Sequence, residues 1–196
     1  MSTLRRSPAT TVLLAAIVAG FLLQLLLGDR LTVLGANFGP FVRQGEYWRL
    51  VTSMFLHGGF FHLLVNAWAL FQLGPLFELL LGSGRLLLVY FASGIAGSFA
   101  SVLFNDNPSV GASGAIFGLM GALIAFLLRR REILTPAAKS LLGQLVMWAG
   151  INIVLGTSSP QIDNAAHLGG CAAGLLFGFL LQPRHMEPEP LPPPSY

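Results

Sequence analysis

Six long runs of apolar residues alternate with short polar breaks along the 196-residue chain. The breaks carry residues that favour turns, as in GSGR at 82–85 and NDNPS at 105–109. A membrane-spanning helix needs about 17–25 mostly apolar residues. Five runs have that length and the fourth is slightly shorter. The pattern therefore predicts six transmembrane helices, over residues 9–27, 54–73, 86–104, 113–128, 138–156 and 165–182.

The composition supports an all-α integral membrane protein. Hydrophobic residues make up 54% of the chain and charged residues only 10%, whereas soluble domains carry roughly 25% charged residues. The net charge of +3 does not indicate a nucleic-acid partner, because the basic residues lie between apolar runs and do not form one patch. The single cysteine, Cys171, excludes an internal disulfide and any CxxC metal or redox motif.

The chain divides into three predicted parts. Residues 1–8 form a short N-terminus, 9–183 a six-helix membrane domain, and 184–196 a proline-rich, disordered tail. The first apolar run is too long for a cleavable signal and lacks a small-residue cleavage site, so we expect a retained helix. The one long connection, 28–53, is rich in aromatic residues and is expected at the membrane interface.

The positive-inside rule orients the predicted bundle. With the N-terminus in the cytoplasm, eight basic residues are cytoplasmic and only three, Arg30, Arg43 and Arg49, are outside. Both termini are therefore expected in the cytoplasm, and the bundle is expected in the cell's inner (plasma) membrane. The second, fourth and sixth helices then all run from outside to inside, so their N-terminal ends share the outer level of the membrane.

Polar side chains cluster near those three N-terminal ends, where they are costly and usually functional. They are His57, His62 and Asn66 on the second helix, Ser113 on the fourth, and Asp163, Asn164 and His167 on the sixth. A serine, a histidine base and further donors at one depth are the parts of a serine hydrolase. Helix N-termini add partial positive charge that favours an oxyanion.

Small residues predict that the fourth and sixth helices touch. Gly170, Gly174 and Gly178 recur every four residues, and Gly114 and Gly118 form a similar pair. Such ridges let membrane helices approach closely. Close approach of the two helices would bring His167 to Ser113, because each of these residues lies beside the glycine ridge of its own helix.

Four segments together resemble the rhomboid intramembrane serine proteases of the bacterial type. They are GASG at 111–114, HLLVN at 62–66, IDNAAHLGG at 162–170, and EYWR at 46–49. The resemblance covers about residues 8–183. It implies a six-helix rhomboid-like bundle that cleaves transmembrane segments of membrane proteins in the lipid bilayer, near the outer face, without cofactor or metal.

The resemblance also implies roles for individual residues. Ser113 would be the nucleophile and His167 the general base and acid of a dyad. The backbone N–H of Ser113 would hold the oxyanion with His62 and Asn66, and His57 matches a further histidine of the family. Other implied roles are the pinning of the first loop by Glu46, Trp48 and Arg49 and the bracing of an inner turn by Glu78. Phe117 stands where many bacterial members have a tyrosine that stacks on the histidine.

Other interpretations of the same residues stay open at this point. Ser113 alone would suit a helix cap, and Asp163 is expected to cap the sixth helix in preference to completing a triad. A zinc or haem site on His57, His62 and His167 lacks an HExxH motif and a nearby carboxylate or thiolate cluster. A small-solute transporter and an inactive rhomboid-like binding protein are the remaining alternatives.

Overall fold

The computed structural model describes residues 7–159 and 161–182. Its regular structure there is helical, apart from one isolated bridge between Asn37 and Ser109. A short 3-10 helix, Ser53–Phe55, lies between the fourth and fifth of the α-helices in this part of the chain. The α-helices are α1 Pro8–Leu27, α2 Asp29–Gly35, α3 Gly39–Arg43, α4 Arg49–Thr52, α5 Phe60–Leu81, α6 Ser83–Phe104, α7 Ser113–Leu128, α8 Pro136–Thr157 and α9 Asn164–Leu180. The all-α fold class is therefore confirmed.

Four helices, α1, α5, α6 and α8, are long and apolar enough to cross a membrane. The helices α7 and α9 are also apolar but have only 16 and 17 residues. Each of the six predicted runs is largely helical in the structure. By length and composition alone, four of these helices qualify as membrane crossings. Six crossings, and the 9–183 domain as a unit, stay predictions. Of the predicted end segments, 1–8 and 184–196, only Ser7 and Pro8 are among the described residues.

The predicted span over 54–73 is wrong at both ends, because α5 covers Phe60–Leu81. At its start, Gly59 has a φ of 144°, a conformation that favours glycine and is not helical. The helix therefore begins only at Phe60. At its end, the helix continues through Pro75. A proline inside a membrane helix removes one backbone hydrogen bond but does not have to end the helix.

Helix α7 lies at the centre of the bundle, since every residue from Gly114 to Leu127 is buried. Its main partner is α9, and the glycine ridges make the contact as the sequence predicts. A Cβ on Gly170 would collide with the backbone of Gly114, and a Cβ on Gly174 with that of Gly118. The two helices are therefore packed backbone to backbone, which fixes the residues at their N-terminal ends relative to each other.

A buried carboxylate ties α1 to α5 at the end of the bundle opposite to the N-terminal ends of α7 and α9. Glu78 accepts hydrogen bonds from the N–H groups of Ala9 (3.2 Å) and Thr10 (2.7 Å), from Thr10 Oγ1 (2.6 Å) and from Ser83 Oγ (2.5 Å). The carboxylate thus satisfies free N–H groups at the N-terminus of α1, where negative charge is favourable. This is the bracing contact that the resemblance implies for Glu78.

The long first connection, 28–53, is folded into α2, α3 and α4. Arg49, only 3% exposed, organises it. Its guanidinium pairs with Glu46 (Nη2 to Oε2, 2.6 Å) and donates to the carbonyls of Val33 (2.7 Å) and Ala36 (2.9 Å). Trp48 Nε1 donates to Leu34 O at 3.2 Å. Side chains of the EYWR segment therefore hold the connection together.

Candidate active site

The contact between Ser113 and His167 is the centre of the candidate site. Ser113 is the first residue of α7, and His167 lies in the first turn of α9. Ser113 Oγ and His167 Nε2 are 2.8 Å apart, which is hydrogen-bond distance. The close packing of the two helices produces this contact across 54 residues of sequence. A hydroxyl bonded to an imidazole is the arrangement that general-base activation of a serine requires.

The imidazole is held on its flat side by Phe117. The two rings are stacked, with centroids 4.2 Å apart and an interplanar angle of 9°. Phe117 lies one turn after Ser113 on the same buried helix, so the serine and the stacking ring come from one rigid element. His167 is itself only 7% exposed. The ring plane is therefore restricted, and a phenyl ring is enough to do this without a hydroxyl.

Asp163 caps α9. Its Oδ1 accepts the N–H of Ala166 at 3.0 Å, and its backbone carbonyl accepts the N–H of His167 at 3.1 Å. The buried Nδ1 of His167 has no hydrogen-bond partner among the described residues, so the carboxylate is not bonded to the ring as the third member of a triad would be. A serine hydroxyl donating to Nε2 requires the proton of the neutral ring on Nδ1.

The charge of Asp163 is stabilised where it lies. Burial raises the pKa of this carboxyl, but the polar groups of Ser101, Asn105 and Ser109 and the N–H of Ala166 lower it by more, so the net pKa is below its ordinary value. A carboxylate at this N-terminus is also favoured by the helix dipole. The cap therefore stays ionised at neutral pH and holds the first turn of α9, which carries the imidazole.

His62 and Asn66 border the segment that leads into Ser113. A Cβ built on Gly111 would lie 2.7 Å from His62 Cε1 and 3.8 Å from Asn66 Nδ2. Gly111 has a φ of 130°, so both its conformation and its close approach favour glycine. The Asn66 amide donates to the carbonyl of His62 at 3.0 Å within its own helix. These two side chains thus lie beside the segment that leads into the serine.

His57 is buried beside His62. It is 2% exposed, and the two imidazoles meet edge to face with centroids 5.3 Å apart. Neither ring nitrogen of His57 has a hydrogen-bond partner among the described residues. Burial, together with the neighbouring His62, lowers the pKa of His57 to about 4, so the ring is neutral at pH 7.

Three residues that no sequence motif marks hold the site's surroundings in place. Gln24 on α1 bonds both backbone groups of His57, at 2.8 and 3.2 Å. Asn37 pairs with Ser109 through two backbone hydrogen bonds and donates its amide to Ser98 O at 2.9 Å. The carbonyl of Ser53 accepts the N–H of Gly111 at 2.9 Å. Each bond joins distant segments through a backbone group, and no periodic pattern in the sequence marks it.

The described residues contain no group of three or more histidine, cysteine, aspartate or glutamate side chains that could hold a metal ion. His57 and His62 touch each other, whereas Nε2 of His167 is engaged by Ser113. Cys171 is a free thiol one turn after His167. The histidine is therefore paired with the serine and not with the cysteine.

Similarity to known proteins shows the family to which the chain belongs. A model of the rhomboid domain matches residues 44–184, which contain α5 to α9 and the whole candidate site. The chain belongs to the rhomboid family. This rhomboid is 41% identical to the rhomboid protease GluP of Bacillus subtilis (strain 168), 40% identical to YdcA of the same organism, and 38% identical to RHOMBOID-like protein 5 of Arabidopsis thaliana.

The similarity covers most of this rhomboid but unequal shares of its relatives. The aligned regions are 74%, 76% and 82% of this chain, and 28% of GluP, 73% of YdcA and 53% of RHOMBOID-like protein 5. This rhomboid thus spans about a quarter of GluP and about half of the Arabidopsis protein. Family membership together with the apolar helices makes it a multi-pass membrane protein.

Proposed function

We propose that this rhomboid is an intramembrane serine endopeptidase that cleaves transmembrane segments of other membrane proteins through a Ser113–His167 dyad. The observation that carries the proposal is the 2.8 Å contact between Ser113 Oγ and His167 Nε2. The names of the relatives, which include a rhomboid protease, support the same class of activity. Ser113 and His167 are both present and lie within hydrogen-bond distance of each other. This favours an active enzyme over an inactive binding protein of the same fold.

The first half of the proposed reaction forms an acyl-enzyme. Ser113 Oγ attacks the carbonyl carbon of the scissile peptide bond while its proton passes to Nε2 of His167. The carbon–nitrogen bond then breaks, and the imidazolium returns the proton to the leaving amine. The product is an ester between Ser113 and the acyl part of the substrate.

The second half hydrolyses that ester. Nε2 of His167 takes a proton from a water molecule, whose oxygen attacks the ester carbonyl. The ester bond then breaks, and the proton returns to Ser113 Oγ. Phe117 and the Asp163 cap keep the imidazole in one position through both halves, because the ring must serve the serine, the amine and the water in turn.

Negative charge on the substrate oxygen is stabilised from the side of Gly111. The backbone N–H of Ser113 lies in the first turn of α7, where N–H groups lack acceptors within the helix and the dipole is positive. His62 and Asn66 are the side-chain donors, since both border the serine segment. Asn66 would have to release the His62 carbonyl to donate to the oxyanion. His57 supports His62 through their ring contact and does not touch the dyad.

The proposed setting is an inner (plasma) membrane with both termini in the cytoplasm. The distribution of basic residues, eight against three, supports this orientation. The dyad would then lie near the outer face, in a cavity that water enters from outside. The substrate, itself embedded in the bilayer, enters sideways past α8 or the connection after it, as lids admit substrates in other enzymes.

Labelling with a fluorophosphonate probe tests the dyad. The detergent-purified protein should react at Ser113, and the reaction should disappear in both Ser113→Ala and His167→Ala. Ser158→Ala is the matched control, because Ser158 is an exposed serine beyond the end of α8. Labelling that persists in both dyad variants would contradict the proposal.

A third variant in the same assay tests the oxyanion donors. Asn66→Ala should retain the fold and slow acylation by about 10²–10³-fold, the usual effect of losing one oxyanion donor. An unchanged rate would remove Asn66 from the proposed site and leave the dyad intact.

A further inference from the structure

Helix α8 is held much less firmly than the other long helices. Of its 22 residues only Leu145 is buried, whereas α7 is buried over nearly its whole length. Large side chains such as Val154 and Leu155 are exposed near its C-terminal end. Since apolar packing contributes little, individual polar contacts decide where this end of α8 lies.

One side-chain hydrogen bond ties that end of α8 to α9. Asn164, the first residue of α9, donates its Nδ2 to the carbonyl of Ile153 at 3.0 Å. A carbonyl has two lone pairs, so Ile153 can accept this bond in addition to a helical one. Gly156 lies against the asparagine, and a Cβ there would collide with the Asn164 side chain. The absence of a side chain at 156 therefore allows α8 to close onto Asn164.

The tie joins α8 directly to the turn that carries the imidazole. Asn164 lies three residues before His167 and follows the capping Asp163. Its Oδ1 is buried and has no hydrogen-bond partner among the described residues, so the bond to Ile153 is the one hydrogen bond that joins this amide to α8 there. Asp163 keeps the first turn of α9 formed independently of this bond. Loss of the bond should therefore free α8 and leave His167 in place.

We infer that Asn164 is a positioning residue that holds the end of α8 against α9 and thereby limits the entry of transmembrane substrates to Ser113. The inference rests on the proposed function. One neutral hydrogen bond between membrane helices shifts a two-state equilibrium by about 2- to 10-fold. A tie of this strength favours the closed position of α8 and still lets the helix open.

The position of α8 is tested without any activity measurement. Spin labels on Val154→Cys in α8 and Leu103→Cys in α6, both exposed, report their separation in a Cys171→Ala background. Asn164→Ala and the similarly sized Asn164→Leu should both enlarge the population with a longer separation by about 2- to 10-fold. Asn152→Ala is the control, because among the described residues the Asn152 side chain donates to Trp148 O of its own helix (2.8 Å) and to no other helix. An unchanged distance distribution in both Asn164 variants overturns the inference.

The kinetic test separates entry from chemistry. For a single-span substrate, the Asn164 variants should raise kcat/KM about 2- to 10-fold, mainly through KM. Their rate of labelling by a small fluorophosphonate should stay within twofold of the wild type, because the probe arrives from water. A parallel fall in cleavage and labelling would mean that Asn164 acts on His167 instead and would overturn the inference. If the protein cleaves no membrane substrate, the proposed function fails, while the spin-label distances still decide whether Asn164 holds α8.

Discussion

At the scale of single residues, the candidate site depends on a few side chains held by well-defined neighbours. Ser113 begins a rigid buried helix, and the imidazole of His167 is bonded at one edge and stacked on Phe117. The sequence predicts this meeting, because polar residues at the N-terminal ends of three helices that run in the same direction lie at one depth. It does not predict the bond that Asn164 makes, since an amide can bond any carbonyl within reach.

His57 gives a prediction about pH at this scale. Its pKa in the folded protein, about 4, is below the ordinary value of about 6.5. Between these two values the unfolded chain binds more protons than the folded one. The free energy of unfolding should therefore fall as the pH decreases from 7 towards 4, with a contribution from His57 of up to about 1.4 kcal/mol per pH unit.

Unfolding in detergent at a series of pH values measures this contribution. His57→Gln should reduce the slope of stability against pH over that interval, because glutamine does not titrate. A variant with the same slope as the wild type would show that His57 is not buried in its neutral form.

At the scale of helices, the contact of α7 with α9 sets the geometry of the dyad. Gly174 faces the backbone of Gly118, and its Cβ would collide there. Gly174→Ala should push the helices apart, lower the free energy of unfolding by about 1–3 kcal/mol, and reduce probe labelling of Ser113. Gly150→Ala is the matched control, because a Cβ at Gly150 meets nothing within 4 Å. Thermal unfolding that is equally unaffected in both variants would contradict the proposed packing.

Helix positions were more predictable from the sequence than helix ends. The apolar runs and the glycine ridges identify the spans and the α7–α9 contact, because both patterns reflect packing that repeats along a helix. The end of α5 is different, since Gly74 and Pro75 look like a stop and the helix continues to Leu81. The connection 28–53 also folds into short helices through Arg49 and its backbone carbonyl partners, a long-range arrangement with no local signature.

At the scale of the whole molecule, the central α7 carries the proposed nucleophile, and the loosely packed α8 borders the proposed route to it. The other helices bury α7 over nearly its whole length, while α8 is little buried and forms the side that we propose to open. This combination suits an enzyme whose substrate arrives within the bilayer and whose second substrate, water, arrives from outside. It connects the packing of the bundle with the proposed intramembrane chemistry.

The most direct test of the proposed protease function is cleavage of a single-span membrane protein by the purified chain reconstituted into lipid vesicles. We predict two fragments whose new termini, read by mass spectrometry, lie in or beside the transmembrane segment, and no cleavage by Ser113→Ala or His167→Ala. Cleavage that survives either substitution, or a folded wild-type protein that labels with the probe but cuts no membrane substrate, would contradict the account.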